Sequence, residues 1–138
     1  MDLSTLYASK HTVITLKHPV TGATLYCDEE EKDPATWSLL SKHTSEYKKI
    51  AMQFARDVKA EFGTKKLSEL SDEETDKMDE LTTQLTIDST VGFNIFLDGK
   101  KPKFTKAKAA DILTDEQLFW LKQQVVIGAN EAENFIQA

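Results

Sequence analysis

Hydrophobic and polar positions change rhythm along this chain. From Thr12 to Leu16 apolar and polar residues alternate, and a second short β-branched and aromatic run, "ATLYC", follows at 23–27. Pro19 and Gly22 lie between the two runs and supply turn chemistry, so the pattern predicts a β-hairpin with one covered face. The acidic run "DEEEKDP" at 28–34 then breaks the alternation and reads as a solvated loop.

Beyond Thr36 the period becomes helical. Tyr47, Ile50, Ala51, Phe54, Val58 and Phe62 recur three or four residues apart, which places them on one face of a helix. Lys48, Lys49, Arg56 and Lys59 fall on the other side. Thr44 or Ser45 suits the start of this helix, and Gly63 suits the left-handed position past its end. Ser71 stands three residues before Glu74, the spacing of a capping box, with Met78, Leu81 and Leu85 as the inner stripe behind it. Ile87 and Val91 move to another face, and the β-branched "TIDSTV" weakens helix propensity there. Asp98-Gly99 marks a tight turn between the apolar run 95–97 and Phe104. Thr105 then caps a short helix over 106–113.

The most patterned stretch is "LTDEQLFWLKQQVVIGANEAENF", 113–135. Thr114 as N-cap places Gln117 at the third helical position, and Leu113 and Leu118 form a hydrophobic staple around it. At ~100° per residue, Leu118, Leu121, Val125, Ala129, Ala132 and Ile136 share one arc, the expected core face. Gly128 and Phe135 sit at its edge. Phe119 and Val126 lie well off that arc, while Trp120 and Ile127 lie opposite it. Asn130, Glu131, Glu133, Asn134 and Gln137 make the back of the second half polar. Other elements of the same domain cover the apolar back in one reading; in the other, Phe119, Trp120, Val126 and Ile127 form a patch that binds a protein partner.

The predicted fold is therefore mostly α with a small N-terminal β-hairpin, an α+β domain of about four helices. Its 138 residues form a single domain: 1–11 a flexible lead, 12–34 strand-rich and 35–138 helical. A net charge of −6 argues against general nucleic-acid binding. No apolar run is long enough for a membrane span, and the N-terminus lacks the pattern of a secretory leader. Cys27 is the only cysteine, so a reducing compartment, the cytoplasm, is expected.

Catalytic groups do not converge in the sequence. His11, His18 and His43 lack metal-ligand spacing, and the five glycines form no phosphate loop. Cys27, beside Asp28, has no cationic sequence neighbour to activate it. The basic run "DGKKPKFTKAK" holds Phe104 but is weak support for nucleic-acid contact against the overall negative charge. No enzyme, metal or cofactor is expected.

With these features in order, the chain resembles the tail assembly chaperone family of long-tailed bacteriophages. The resemblance rests on "HPVTGATLY", on the helix start "TSEYKK", on "VGFNIFLDGKKPKFTKAKAADIL", and on the final stretch, where Leu118, Trp120, Leu121, Val125, Asn134 and Phe135 match a terminal helix closing in Asn-Phe. It spans residues 13–135. Phe93 departs from the pattern, because that position is often tryptophan in such proteins. The resemblance implies a non-enzymatic protein that binds the tape measure protein and keeps that long apolar helical chain soluble during tail assembly. It further implies self-association, contact with the tail tube protein through a longer frameshifted form, residence in the host cytoplasm and absence from the mature virion. A minor structural tail or head–tail joining protein is the alternative, and a small acidic regulator of host enzymes a third.

Overall fold

The computed structural model describes residues 2–136, apart from the side chain of Ala132. Alternation in the first run does produce a strand, β1 (His11–Thr15), with Thr12 and Ile14 facing inward and His11 and Val13 outward. Its partner is not the 23–27 run. β1 pairs antiparallel with β2 (Thr36–Leu40), with Ile14 opposite Trp37 and Thr12 opposite Leu39. Only the root of the expected hairpin forms: His18 N–H donates to Ala23 O at 2.8 Å, and Lys17 bridges Thr24. Leu25 and Ala35 then fold back so that Leu25 N–H reaches Leu16 O and Ala35 N–H reaches Leu25 O.

The assignment of 35–138 as helical is thus corrected at its start. Trp37 and Leu39 are buried while Thr36, Ser38 and Leu40 are half-buried, a period of two over only five residues. A run so short has no decisive period by itself. The strand forms because two other segments supply its hydrogen bonds. One is β1. The other is β3 (Thr90–Asn94), antiparallel to β2 with a register shift at Ser38/Leu39. β2 is the central strand of the sheet, whose order is β1-β2-β3.

Among the described residues four α-helices accompany this sheet, and the fold is α+β. α1 (Ser45–Phe62) starts where Thr44 Oγ1 accepts the Tyr47 N–H, and ends at Gly63 with φ 62°. α2 (Asp72–Ser89) opens with the capping box in full, Ser71 and Glu74 each taking the other's backbone N–H. Lys65, 2.9 Å away, and the Ser71 N–H hold the Glu74 carboxyl below the usual range.

α1 packs on α2 with only Phe62 buried, whereas α2 sinks its C-terminal end into the core. There Thr83, Thr86, Ser89 and Thr90 are buried polar residues. The threonine hydroxyls donate to carbonyls four residues back, so none is left unpaired. Lys106 closes the same end: its Nζ donates to the carbonyls of Ile87, Asp88 and Thr90 at 3.1, 2.7 and 2.6 Å. A cation there meets the negative end of the helix dipole, although burial pulls its pKa below the lysine norm. Replacing Lys106 with methionine keeps the alkyl stem and removes the ammonium donor from three carbonyls, of which Ile87 O keeps the Thr90 N–H. The expected loss is about 1–2 kcal/mol in urea denaturation, and an unchanged midpoint would refute the capping role.

The last third corrects the sequence reading most. Thr105 caps α3 (Lys106–Leu113), as expected. Thr114, however, ends α3 instead of starting the next helix: its hydroxyl donates to Ala110 O at 2.6 Å. Asp115 takes over the N-cap role and accepts the Gln117 N–H, opening a single 3₁₀ turn (Glu116–Leu118). α4 (Phe119–Gly128) follows and stops eight residues short of Ile136. The amide of Asn134 donates to Gly128 O, and the chain turns back through another 3₁₀ turn (Ala132–Asn134). Ile136, expected on the helical arc, instead bridges Ala8, and Ser9 N–H donates to Phe135 O. The N-terminal residues expected to be flexible thus hold a 3₁₀ turn (Leu3–Leu6) and this bridge. Gln137 and the side chain of Ala132, placed on the helix by the sequence reading, lie outside the described residues.

The core lies between the sheet and the helices, with Trp37 at its centre and Ile112, Leu113, Leu121 and Val125 closing it from α3 and α4. No helix among the described residues is long and apolar enough to cross a membrane.

Candidate functional site

α4 is apolar on almost every side, so its core face cannot be read from its composition. Packing chooses Leu121, Val125 and Gly128 for burial. The four residues singled out from sequence then separate. Phe119 is 57% exposed and Ile127 62%, while Val126 is at 37%. Trp120 is half-buried and packs against the core. Its displacement has a simple cause. Gly128, expected at the edge of the arc, lies within the buried face, and Leu118 stands in the 3₁₀ turn before α4, so the buried face is centred nearer Trp120 than the predicted arc.

Phe119, Gln123, Val126 and Ile127 follow one another at helical spacings of four, three and one, along the side of α4 that looks toward α2. Between the two helices runs a groove. Its wider part, about 590 Å³, has Phe119, Leu113 and Ile87 in its walls, with Asp79, Glu80, Asp115 and Glu116 around them. Its narrower part, about 380 Å³, is lined by Val126, Ile127 and Gln123 from α4 and by Thr82 and Thr83 from α2. Lys122 stands where the parts meet, 3.3 Å from Asp79 Oδ2 and 3.4 Å from Thr83 Oγ1. Among the described residues these are the side-chain hydrogen bonds that cross from α4 to α2. Asp79 is largely exposed while Lys122 is half-buried, so this ion pair contributes little to stability.

Charge is unevenly shared around the groove. α2 carries seven carboxylates and one lysine, Lys77, which lies 3.6 Å from Glu80. Sequence reasoning did not pick out Asp79, Thr82, Thr83 or Lys122. Asp79 and Lys122 are 43 positions apart, and no local pattern announces a pairing at that distance. A second groove, about 620 Å³, runs between α1 and α2 and is floored by Ile50, Phe54, Leu81 and Leu85. Ile50 and Phe54 share the predicted face of α1 and Leu81 and Leu85 the predicted inner stripe of α2, and the single layer of α1 leaves all four half-covered.

The remaining chemical groups have structural duties. His18 Nδ1 accepts the N–H groups of Val20 and Thr21 and shapes the turn after β1. Cys27 donates to Asn94 O, and burial, reinforced by the nearby Asp33, pushes its thiol pKa up, away from a reactive thiolate. Within the basic run Lys101 pairs with Asp33 at 2.8 Å and Lys106 caps α2, so two of its cations are already engaged. Among the described residues no group of three or more His, Cys, Asp or Glu side chains is arranged to hold a metal. What the α2–α4 groove leaves on the surface is an apolar row, Phe119, Val126 and Ile127, between polar and charged walls. No protein-family model, curated protein or solved structure matches the chain.

Proposed function

We propose that this protein is a non-catalytic tail assembly chaperone of a long-tailed bacteriophage, which holds the apolar helical tape measure protein in solution in the host cytoplasm until the tail tube forms around it. The observation that carries this reading is the row of exposed apolar side chains, Phe119, Val126 and Ile127, along an open groove between two helices. A helix laid in that groove would bury its own apolar stripe against them, with the aromatic and aliphatic side chains as anchors. The chain's net charge of −6 supports the role, since a charged complex resists precipitation.

Co-expression with the tape measure protein tests the proposal. The wild-type chain should hold that protein in the soluble fraction and co-purify with it. The double variant Phe119→Asp, Ile127→Asp should lose the complex while its own unfolding changes by less than about 0.5 kcal/mol, because both side chains are more than half exposed. Retained co-purification by a folded double variant would sink the reading, and so would abundant protein in purified mature virions.

A further inference from the structure

Resting on the binding role proposed above, we infer that the groove between α2 and α4 takes an amphipathic helix whose apolar stripe is flanked by lysine or arginine. The apolar part of the fit comes from α4. Phe119, Val126 and Ile127 span ~12 Å along the helix axis, a little over two turns of an incoming helix. An incoming stripe at positions i, i+4 and i+7 matches that length.

The flanks are set by charge. One rim is α2, where Asp79 and Glu80 line the groove and only Lys77 offers a local cation. The other rim is the turn before α4, where Asp115 and Glu116 line the same space. Lys122, within the groove, pairs with Asp79, and Lys77 with Glu80. The four carboxylates thus meet two ammonium groups, and Asp115 and Glu116 make no salt bridge among the described residues. An incoming helix with acidic flanks would place like charges along both rims. One with basic flanks would find carboxylates on both sides and compete with Lys122 for Asp79.

Two synthetic helical peptides of roughly 18 residues, labelled with a fluorophore and carrying the same leucine stripe, separate the possibilities. One has lysine flanks and the other glutamate flanks. Fluorescence anisotropy with the full chain should show the lysine peptide binding at least about tenfold more tightly, an advantage that shrinks as salt rises from about 0.05 to about 0.5 M. Ile127→Asp should abolish binding, Asp115→Asn with Glu116→Gln should remove most of the preference, and Leu67→Asp, at an exposed apolar residue outside the groove, should change nothing. Circular dichroism confirms that each variant is folded. Equal affinity for both peptides overturns the inference. Binding of the lysine peptide that survives Ile127→Asp does so too, because it would reflect general attraction to an acidic surface. If the peptides fail to discriminate while the tape measure protein is still held in solution, the charge rule alone falls. If the lysine peptide binds but that protein is not held, the chaperone reading falls and the groove stands.

Discussion

Trp37→Ala is expected to cost about 3–5 kcal/mol, enough to remove much of the stability of a domain this size. Trp37 has no exposed surface, occupies the central strand and belongs to the core cluster. Its ring lies 5.1 Å from that of Phe93, which in turn meets Phe104 edge-on at 5.3 Å. Truncation therefore opens a cavity that neighbouring aromatic groups cannot fill without leaving one another. The indole also donates to Thr90 Oγ1 at 3.1 Å, tying β2 to the junction of α2 and β3. Trp37→Phe separates the two contributions. It keeps most of the volume and loses the donor, but the Thr90 hydroxyl still donates to Thr86 O, so no buried donor is orphaned. The phenylalanine variant should retain well over half of the stability that alanine loses. Urea denaturation reads both, and a loss below about 1 kcal/mol for Trp37→Ala would contradict the central position of this side chain.

Gly128→Ala carries the second large effect, and its sign is the test. Alanine in place of a helical glycine ordinarily stabilises by about 1 kcal/mol. Here an added Cβ would stand 2.8 Å from Ile14 Cγ1, 3.0 Å from Ile14 Cγ2 and 3.3 Å from the Asn134 amide nitrogen. Ile14 is buried in β1, and both atoms are attached directly to its Cβ, so rotation cannot carry them out of the way. Either α4 withdraws from the sheet or the strand shifts. We expect a net destabilisation of about 1–3 kcal/mol. Ile14→Ala removes both clashing atoms, so the double variant should be more stable than the sum of the single effects. A more stable Gly128→Ala protein would mean that α4 does not approach β1 this closely.

Gly128 also shows why the last helix was misread. Its neighbours on both sides are good helical continuations by pattern, and the apolar spacing runs on to Ile136. The helix ends at Gly128, close against Ile14 and under the returning Asn134 amide, and neither neighbour leaves a trace in local periodicity. Thr114 failed as an N-cap for a related reason. Threonine followed three residues later by glutamine satisfies the capping pattern, but the preceding helix claimed that hydroxyl first, and Asp115 was next in line. The candidate surface was legible in part. Surplus apolar side chains on α4 were visible from composition, and Phe119, Val126 and Ile127 stand on the surface. Trp120 went to the core because Gly128, a residue without a side chain to mark it, belongs to the buried face and Leu118 does not belong to α4, which together set that face nearer Trp120.

By itself the amino-acid sequence determined the structures whose hydrogen bonds close within a few residues. The caps at Thr44, Ser71–Glu74 and Thr105, the stop at Gly63, and the Asp98-Gly99 turn with both residues at positive φ all belong here. Each is decided by groups that are neighbours in any conformation of the chain. Tertiary structure alone decided the rest. β2 is a strand because β1 and β3 lie beside it, the final helix ends where the sheet meets it, and Asp79 and Lys122 face each other across a groove that neither helix forms alone. A short apolar segment carries more than one acceptable backbone, and the energy that selects among them comes from surfaces that meet only when the domain closes.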